Sequence, residues 1–133
     1  MLPGDGMLKI MVIGFGGFFG AVMRYLVSNW VQNASTGGKF PWGTLTVNMV
    51  GCLLIGVLLQ TADTKAIFTE TARNFLFMGF LGAFTTFSTF GNDTVVLLQD
   101  GRELAALGNI FLHLSLGLLA VYLGRYSVNY LVS

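Results

Sequence analysis

Residues 79 to 94 read Gly-Phe-Leu-Gly-Ala-Phe-Thr-Thr-Phe-Ser-Thr-Phe-Gly-Asn-Asp-Thr, a run that places polar and poorly helix-forming residues inside an otherwise apolar chain. The run combines hydroxyl side chains, phenylalanines and glycines, namely Thr85, Thr86, Ser88 and Thr89, then Phe84, Phe87 and Phe90, then Gly79, Gly82 and Gly91. In lipid, non-helical backbone is tolerated only where it is buried in protein or lines a water-filled path. This run therefore predicts a break near residues 82–90 in a membrane helix, and it is the candidate functional centre.

The composition identifies an integral membrane protein. The 133 residues are 54% hydrophobic and 10% charged, against about 25% charged residues in soluble domains, and the mean hydropathy is +0.73. The net charge of +1 without any block of like charge gives no reason to expect a nucleic-acid partner. One cysteine and one histidine exclude a disulfide framework and a Cys/His metal cluster.

The apolar runs predict an all-α membrane fold with four spans in a single domain, residues 1–133. Since a bilayer core takes roughly 20 helical residues, the spans are expected near residues 7–31, 43–61, 74–99 and 104–131, the third being the broken one. The six residues before Met7 form a short polar extension, and whether they are native is left open.

The first span carries a small-residue packing motif and a cation on one face. Gly16 and Gly20 have the spacing that lets membrane helices approach closely. Arg24 lies one turn further along the same face. Its guanidinium either reaches the lipid headgroups or points into protein or a vestibule, and the pattern favours neither.

The second and fourth spans each carry an amide at mid-span. In the second span a polar or small residue recurs every fourth position, at Thr44, Asn48, Cys52 and Gly56. Such stripes usually join helices, but the polar break elsewhere favours a position for Asn48 along a path through the membrane. In the fourth span Asn109 and His113 share a face, and a buried structural imidazole is favoured over a titrating one.

The positive charges predict little preference for one orientation in the membrane. With four spans, Lys9, Lys65, Arg73 and Arg125 lie on one side, and Lys39, Arg102 and the ambiguous Arg24 on the other. Because positively charged residues normally fix orientation, this weak bias predicts insertion both ways up. Two oppositely oriented copies would form an antiparallel homodimer, with its twofold axis in the membrane plane.

The side chains available near the break suit a small anion. No carboxylate lies at mid-span, as a proton-coupled exporter would need. Hydroxyl and amide donors are present, together with phenylalanines, whose ring edges carry partial positive charge. Unwound backbone also exposes carbonyl oxygens, which suit a hard cation. Two such oxygens from each subunit would form a four-oxygen site for a structural, untransported ion.

Three segments carry a family resemblance: residues 16–25, Gly-Gly-Phe-Phe-Gly-Ala-Val-Met-Arg-Tyr, residues 43–52, Gly-Thr-Leu-Thr-Val-Asn-Met-Val-Gly-Cys, and residues 79–90 of the break. Across all four spans the chain resembles the bacterial fluoride channels of the Fluc or CrcB family. The resemblance implies a dual-topology homodimer with two antiparallel pores in the bacterial inner membrane. It also implies passive export of cytoplasmic fluoride, which lowers fluoride toxicity, and a sodium ion at the dimer centre.

The resemblance also assigns roles to individual positions. Asn48 resembles the pore asparagine, and Phe87 and Phe90 resemble the phenylalanines that face the ion. Gly82 and Thr85 resemble the residues whose carbonyls bind sodium, and Arg24 the basic residue of the vestibule. The hydroxyls of Thr86, Ser88 and Thr89 complete the predicted fluoride path, with Asn109 as the contact from the fourth span. The chain departs from the family pattern at Ala83, at Gly91-Asn92-Asp93 and at His113, where a serine is usual.

Two other functions are compatible with parts of the pattern. A small multidrug-type exporter could also insert both ways, but it would need a membrane-embedded acid in the first span, which has none. A non-transporting membrane assembly subunit is supported by the glycine-rich faces. An enzyme is not expected, since no nucleophile and base pair is visible.

Overall fold

A computed structural model describes residues 3–35 and 38–132, and over these ranges the chain is helical, without a strand. The elements are α1 (Pro3–Ala34), α2 (Trp42–Lys65), α3 (Glu70–Arg73), a π-helix (Asn74–Leu81), α4 (Gly82–Phe84), α5 (Phe87–Gln99) and α6 (Glu103–Val132). Met1 and Leu2, the start of the predicted N-terminal extension, lie outside the described residues.

Three helices in the described chain are long and apolar enough to cross a membrane: Gly6–Ala34, Trp42–Lys65 and Glu103–Leu131. They contain the spans expected at 7–31, 43–61 and 104–131, and each runs a few residues further. Residues 70–99, which include the remaining expected span, are divided among shorter helices. None of these pieces alone has the roughly 20 residues that a crossing needs.

The α1–α2 connection is shorter than the sequence predicts. Gln32 was expected in a loop over residues 32–42, but it lies in the last turns of α1. Its side chain then serves the connection, because Nε2 donates to the Phe40 carbonyl at 3.1 Å and Oε1 accepts from the Gly43 N–H at 3.1 Å. The Gly43 N–H, in the first turn of α2, thereby gains an acceptor that the helix itself does not supply.

Glycines bring α2 and α6 into backbone contact. A Cβ at Gly124 would lie 2.5 Å from the Leu53 carbonyl oxygen, and one at Gly56 would collide with the Val121 carbonyl. Any larger residue at these positions would force the helices apart. α2 thus packs along α6 on one side, while α1 and the break lie on its other sides.

Glycines also bring α1 against the π-helix, and they confirm the packing predicted for the Gly16 and Gly20 pair. A Cβ at Gly16 would collide with the Phe75 carbonyl and lie 3.0 Å from the Phe80 N–H. A Cβ at Gly20 would collide with the Phe80 carbonyl. The face of α1 that was predicted to pack therefore holds the segment that leads into the break.

Candidate functional site at the helix break

The chain leaves the helical conformation for two residues between α4 and α5. Thr85 has φ −88° and ψ 154°, and Thr86 has φ −151° and ψ 119°, both extended. The Thr85 N–H still closes the preceding helix by donating to the Leu81 carbonyl at 3.1 Å. The Thr86 hydroxyl then caps α5 by accepting from the Thr89 N–H at 3.2 Å.

The side chain of Asn48 pairs with the unwound backbone of Thr86. Its Nδ2 donates to the Thr86 carbonyl at 3.1 Å, and its Oδ1 accepts from the Thr86 N–H at 2.9 Å. Asn48 is buried, with 8% of its surface exposed. The amide thus replaces helical partners that the break removes, which is what makes an extended residue tolerable in an apolar setting.

These same hydrogen bonds leave the carbonyls of Gly82 and Thr85 without their helical partners. In an α-helix the carbonyl of residue i accepts from the N–H of residue i+4. The Thr86 N–H, four residues after Gly82, donates to Asn48, and the Thr89 N–H, four residues after Thr85, donates to the Thr86 hydroxyl. Two hard oxygen ligands are therefore available where the sequence predicts a sodium site, and this donor set fits a hard cation.

An open cavity of about 370 Å³, called here the break groove, runs along the extended residues. Its polar and aromatic lining consists of Asn48, Thr85, Thr86, Phe77, Phe87, Phe90 and His113. The rings of Phe87 and Phe90 lie 5.4 Å apart between centroids and are tilted by 56°. Phe87 is 81% exposed, so its ring is available to whatever enters or covers the groove.

A second cavity of about 240 Å³, called here the Arg24 cavity, lies on another side of the break. It is lined by Ala21, Arg24, Tyr25, Ser28, Asn29, Thr44, Val47, Thr86 and Thr89. Arg24 is half-buried and shares this cavity with hydroxyl-bearing residues of the break. Thr86 lines both cavities, so the two cavities adjoin at this residue.

The remaining predicted site residues divide into two groups. Ser88 and Thr89 stay at the break, where both hydroxyls lie within hydrogen-bonding distance of the Thr86 hydroxyl, at 3.1 and 3.2 Å. Asn109 is fully buried between α5 and α6, and its Nδ2 donates to the Thr94 hydroxyl at 2.9 Å. It does not line the break groove or the Arg24 cavity.

His113, one turn after Asn109, does line the break groove. Its ring lies 4.4 Å from the Phe90 ring between centroids, tilted by 39°. Its Nδ1 lies 2.9 Å from the Asn109 carbonyl oxygen. The four-residue spacing correctly predicted that both side chains lie on one face of the helix. Spacing does not show which of the two is buried against α5 and which borders the groove. For this reason the sequence could not separate the groove residue from the buried one.

Comparison with known proteins gives a consistent set of relatives. Residues 11–125 match the model of the family described as "CrcB-like protein, Camphor Resistance (CrcB)". The chain is 42% identical over 121 residues to the "Fluoride-specific ion channel FluC 1" of Methanosarcina acetivorans, an alignment that covers 91% of each chain. It is 46% identical over 112 residues to the FluC protein of Aliivibrio salmonicida, with 84% of this chain and 88% of the relative covered. It is 45% identical over 117 residues to that of Hydrogenovibrio crunogenus, with 88% of each covered.

Proposed function

The chain belongs to the CrcB family, and we infer from this membership that it is a fluoride-specific ion channel and not an enzyme. It is a multi-pass protein of the cell membrane, which in bacteria is the inner membrane, and the residues that the structure describes are helical without a strand. The observation that carries this function is the similarity, over 91% of both chains, to a relative named as a fluoride-specific channel.

A passive channel is sufficient to export fluoride. Hydrogen fluoride crosses membranes as a neutral acid and dissociates in the near-neutral cell interior, which traps the anion there. When the membrane is negative inside, outward movement of a monovalent anion is favoured by about 2.3 kcal/mol of free energy per 100 mV. No coupling ion is needed, in keeping with the absence of a mid-span carboxylate from the predicted spans.

For the path itself, we propose that fluoride enters through the Arg24 cavity, passes the hydroxyls of Thr86, Ser88 and Thr89, and reaches the rings of Phe87 and Phe90. The support is that Thr86 lines both cavities and that Phe87 is exposed beside Phe90. Hydroxyl donors and positive ring edges replace water around a small anion one contact at a time. Neutral donors of this kind do not hold the ion as tightly as a fixed charge would.

Two amides support this path in different ways. Asn48 lines the break groove and also fixes the backbone of Thr86, so it holds the adjacent hydroxyls in place. Asn109 lies outside both cavities. Its side chain donates to Thr94 and so links α6 to α5, and its carbonyl contacts the His113 ring. Asn109 was predicted as the fourth-span contact of the path; we propose instead an indirect contribution, because it lines neither cavity.

Residues 70–99 are proposed to form the fourth crossing, as a helix interrupted at Thr85 and Thr86. At 1.5 Å per helical residue these 30 residues would reach about 45 Å, more than the roughly 30 Å of a bilayer core. The break then lies at membrane depth. An even number of crossings would also put both chain ends on one side.

A second, oppositely oriented copy is proposed to cover the break groove. An open groove beside an 81% exposed phenylalanine needs either lipid or protein against it, and unpaired backbone carbonyls are not tolerated against lipid. Across a twofold axis in the membrane plane, the carbonyls of Gly82 and Thr85 from each copy would supply four oxygens for one sodium ion. Replacing sodium by a large organic cation should then lower the fraction of dimer measured by cross-linking; an unchanged fraction would contradict the sodium site.

Proteoliposomes loaded with fluoride test the function directly. A fluoride-selective electrode should record rapid efflux when a potassium ionophore balances the charge, and a chloride electrode should record none above that of protein-free vesicles. Equal release of both anions would contradict selectivity. Release of neither would favour a non-transporting assembly subunit.

A further inference from the structure

The break groove contains a row of three rings that ends in an ionisable one. Phe87 lies 5.4 Å from Phe90, and Phe90 lies 4.4 Å from His113. All three residues line the groove. The row therefore links the exposed Phe87, through Phe90, to an imidazole on α6.

The contact at Nδ1 determines what the other ring nitrogen offers. The Asn109 carbonyl, 2.9 Å from Nδ1, can only accept a hydrogen bond, so Nδ1 carries the hydrogen. In the neutral ring Nε2 then holds a lone pair, and in the protonated ring it holds an N–H. Nε2 is buried and has no hydrogen-bond partner. This nitrogen is therefore the atom at which protonation changes what the ring offers to the groove.

Resting on the proposed fluoride channel, we propose that His113 is a positioning and tuning residue whose protonation raises fluoride conductance through Phe90. A cation near the face of an aromatic ring is held by the negative charge of that face. It draws electron density from the face and leaves the ring edge more positive. An anion that contacts the edge of Phe90 is then bound more strongly.

Charged and titratable neighbours of the imidazole are few. On α5, Asp93 interacts with it electrostatically, although the Asp93 carboxylate also accepts a hydrogen bond from Thr44 at 2.7 Å. On α2, Cys52 lines the same groove. No lysine or arginine is among the groove residues that the structure describes. A protonated His113 would thus be the positive side chain in the groove lining.

The test is an electrical recording of fluoride current in a planar bilayer, from single channels or from many. Hydrogen fluoride that leaks through the lipid is neutral and carries no current, so it does not contribute to the signal. With equal fluoride on both sides, the current of the unmodified protein should rise by at least about threefold as the pH is lowered from 8 to 5, because protonation of the imidazole becomes more favourable as the pH falls. His113→Phe keeps a ring against Phe90 but cannot be protonated. Its current should not change with pH.

His113→Asn serves as a second variant, since its amide can still donate to the Asn109 carbonyl. Gel filtration of both variants shows whether each assembles like the unmodified protein. If His113→Phe does not assemble, a pH-independent current through His113→Asn supports the proposal. A pH-dependent current in either variant overturns it, as does a pH-independent current in the unmodified protein. No fluoride current at any pH would instead contradict the proposed channel function.

Discussion

At the residue scale, the Asn48 amide makes the unwound backbone possible. Its donor and its acceptor both pair with Thr86, and Asn48 itself is buried. Backbone groups in an apolar setting cost free energy when they lose their partners. The break therefore depends on two segments far apart in the sequence. A substitution at residue 48 should change the backbone conformation or its stability at residue 86.

Asn48→Leu should destabilise the protein by about 1 to 3 kcal/mol, because it leaves the N–H and the carbonyl of the half-buried Thr86 without their partners. Fluoride flux should fall as well, since the adjacent hydroxyls lose their fixed positions. The measurement is unfolding in mixed detergent followed by tryptophan fluorescence, alongside electrode-recorded efflux. Met49→Leu, a change of similar volume in the same groove lining, is the control and should cost little. Equal stability of the two variants would show that the amide pair is dispensable.

Phe87→Ile and Phe90→Ile should each reduce fluoride flux by about three- to tenfold, which corresponds to the loss of one favourable aromatic edge contact. Isoleucine keeps an apolar side chain in the groove but has no positive rim. Phe19→Ile, on an exposed face of α1, should leave flux unchanged. Normal flux in both groove variants would remove the aromatic contribution from the proposed path.

Residue types along the chain predicted much of the break but not its hydrogen-bond partners. The glycines and hydroxyls around residue 85 marked where the helix is interrupted, because such residues favour caps and turns over helix interiors. Neither the diversion of the Thr86 N–H to Asn48 nor the full burial of Asn109 follows from local sequence. Both depend on how α2, α5 and α6 pack, which residue spacing on a single helix does not specify.

At the scale of elements, the π-helix and α1 form one unit that leads into the break. The Gly82 N–H donates to the Phe77 carbonyl, five residues earlier, and so continues the wide winding of the π-helix. Gly16 lies directly against the Phe75 carbonyl and the Phe80 N–H. A π-helix has more residues per turn than an α-helix, so it changes the direction in which the following side chains point. The contact of the π-helix with α1 therefore sets the orientation of α4 and of the extended residues.

Gly16→Ala and Gly20→Ala should each destabilise the protein by about 1 to 3 kcal/mol through overpacking, since the added Cβ meets backbone atoms that cannot move aside. Gly17→Ala is the matched control on the same helix, because its Cβ would find only ordinary contacts, the nearest at 3.9 Å. Thermal loss of the native gel-filtration peak measures all three. If Gly17→Ala were as damaging as Gly16→Ala, the loss would reflect glycine flexibility in α1 and not its contact with the π-helix.

The long helices were predictable from apolar runs, whereas the winding of residues 74–81 was not. The runs at 7–31, 43–61 and 104–131 lie within α1, α2 and α6, because length and hydropathy suffice to identify a helix that can cross a bilayer. The segment Asn-Phe-Leu-Phe-Met-Gly-Phe-Leu has no proline and reads as ordinary apolar helix. Its π form accompanies contact with the glycines of α1, which is a tertiary feature.

At the scale of the whole molecule, charge is distributed so that neither end dominates. At one end Arg125 lies 3.7 Å from Asp63 and donates to Gln60 at 3.0 Å. At the other, Lys39 pairs with Asp100 at 3.0 Å. Exposed pairs of this kind contribute little stability. Since Lys and Arg residues normally fix orientation, their nearly even division between the two ends, four against two or three, is the basis for expecting both orientations.

Thiol labelling from one side of the membrane tests this orientation without altering any charge. Thr64→Cys and Gln99→Cys place a single thiol at opposite ends of the molecule on exposed positions, in a Cys52→Ala background whose flux is checked first. If the chain inserts both ways, a membrane-impermeant maleimide applied to intact cells should label about half of each variant relative to detergent-solubilised protein. A fixed orientation would instead give nearly complete labelling of one variant and almost none of the other. That result would leave the channel function intact but exclude the antiparallel dimer, and with it the four-carbonyl sodium site that requires Gly82 and Thr85 of two opposed copies.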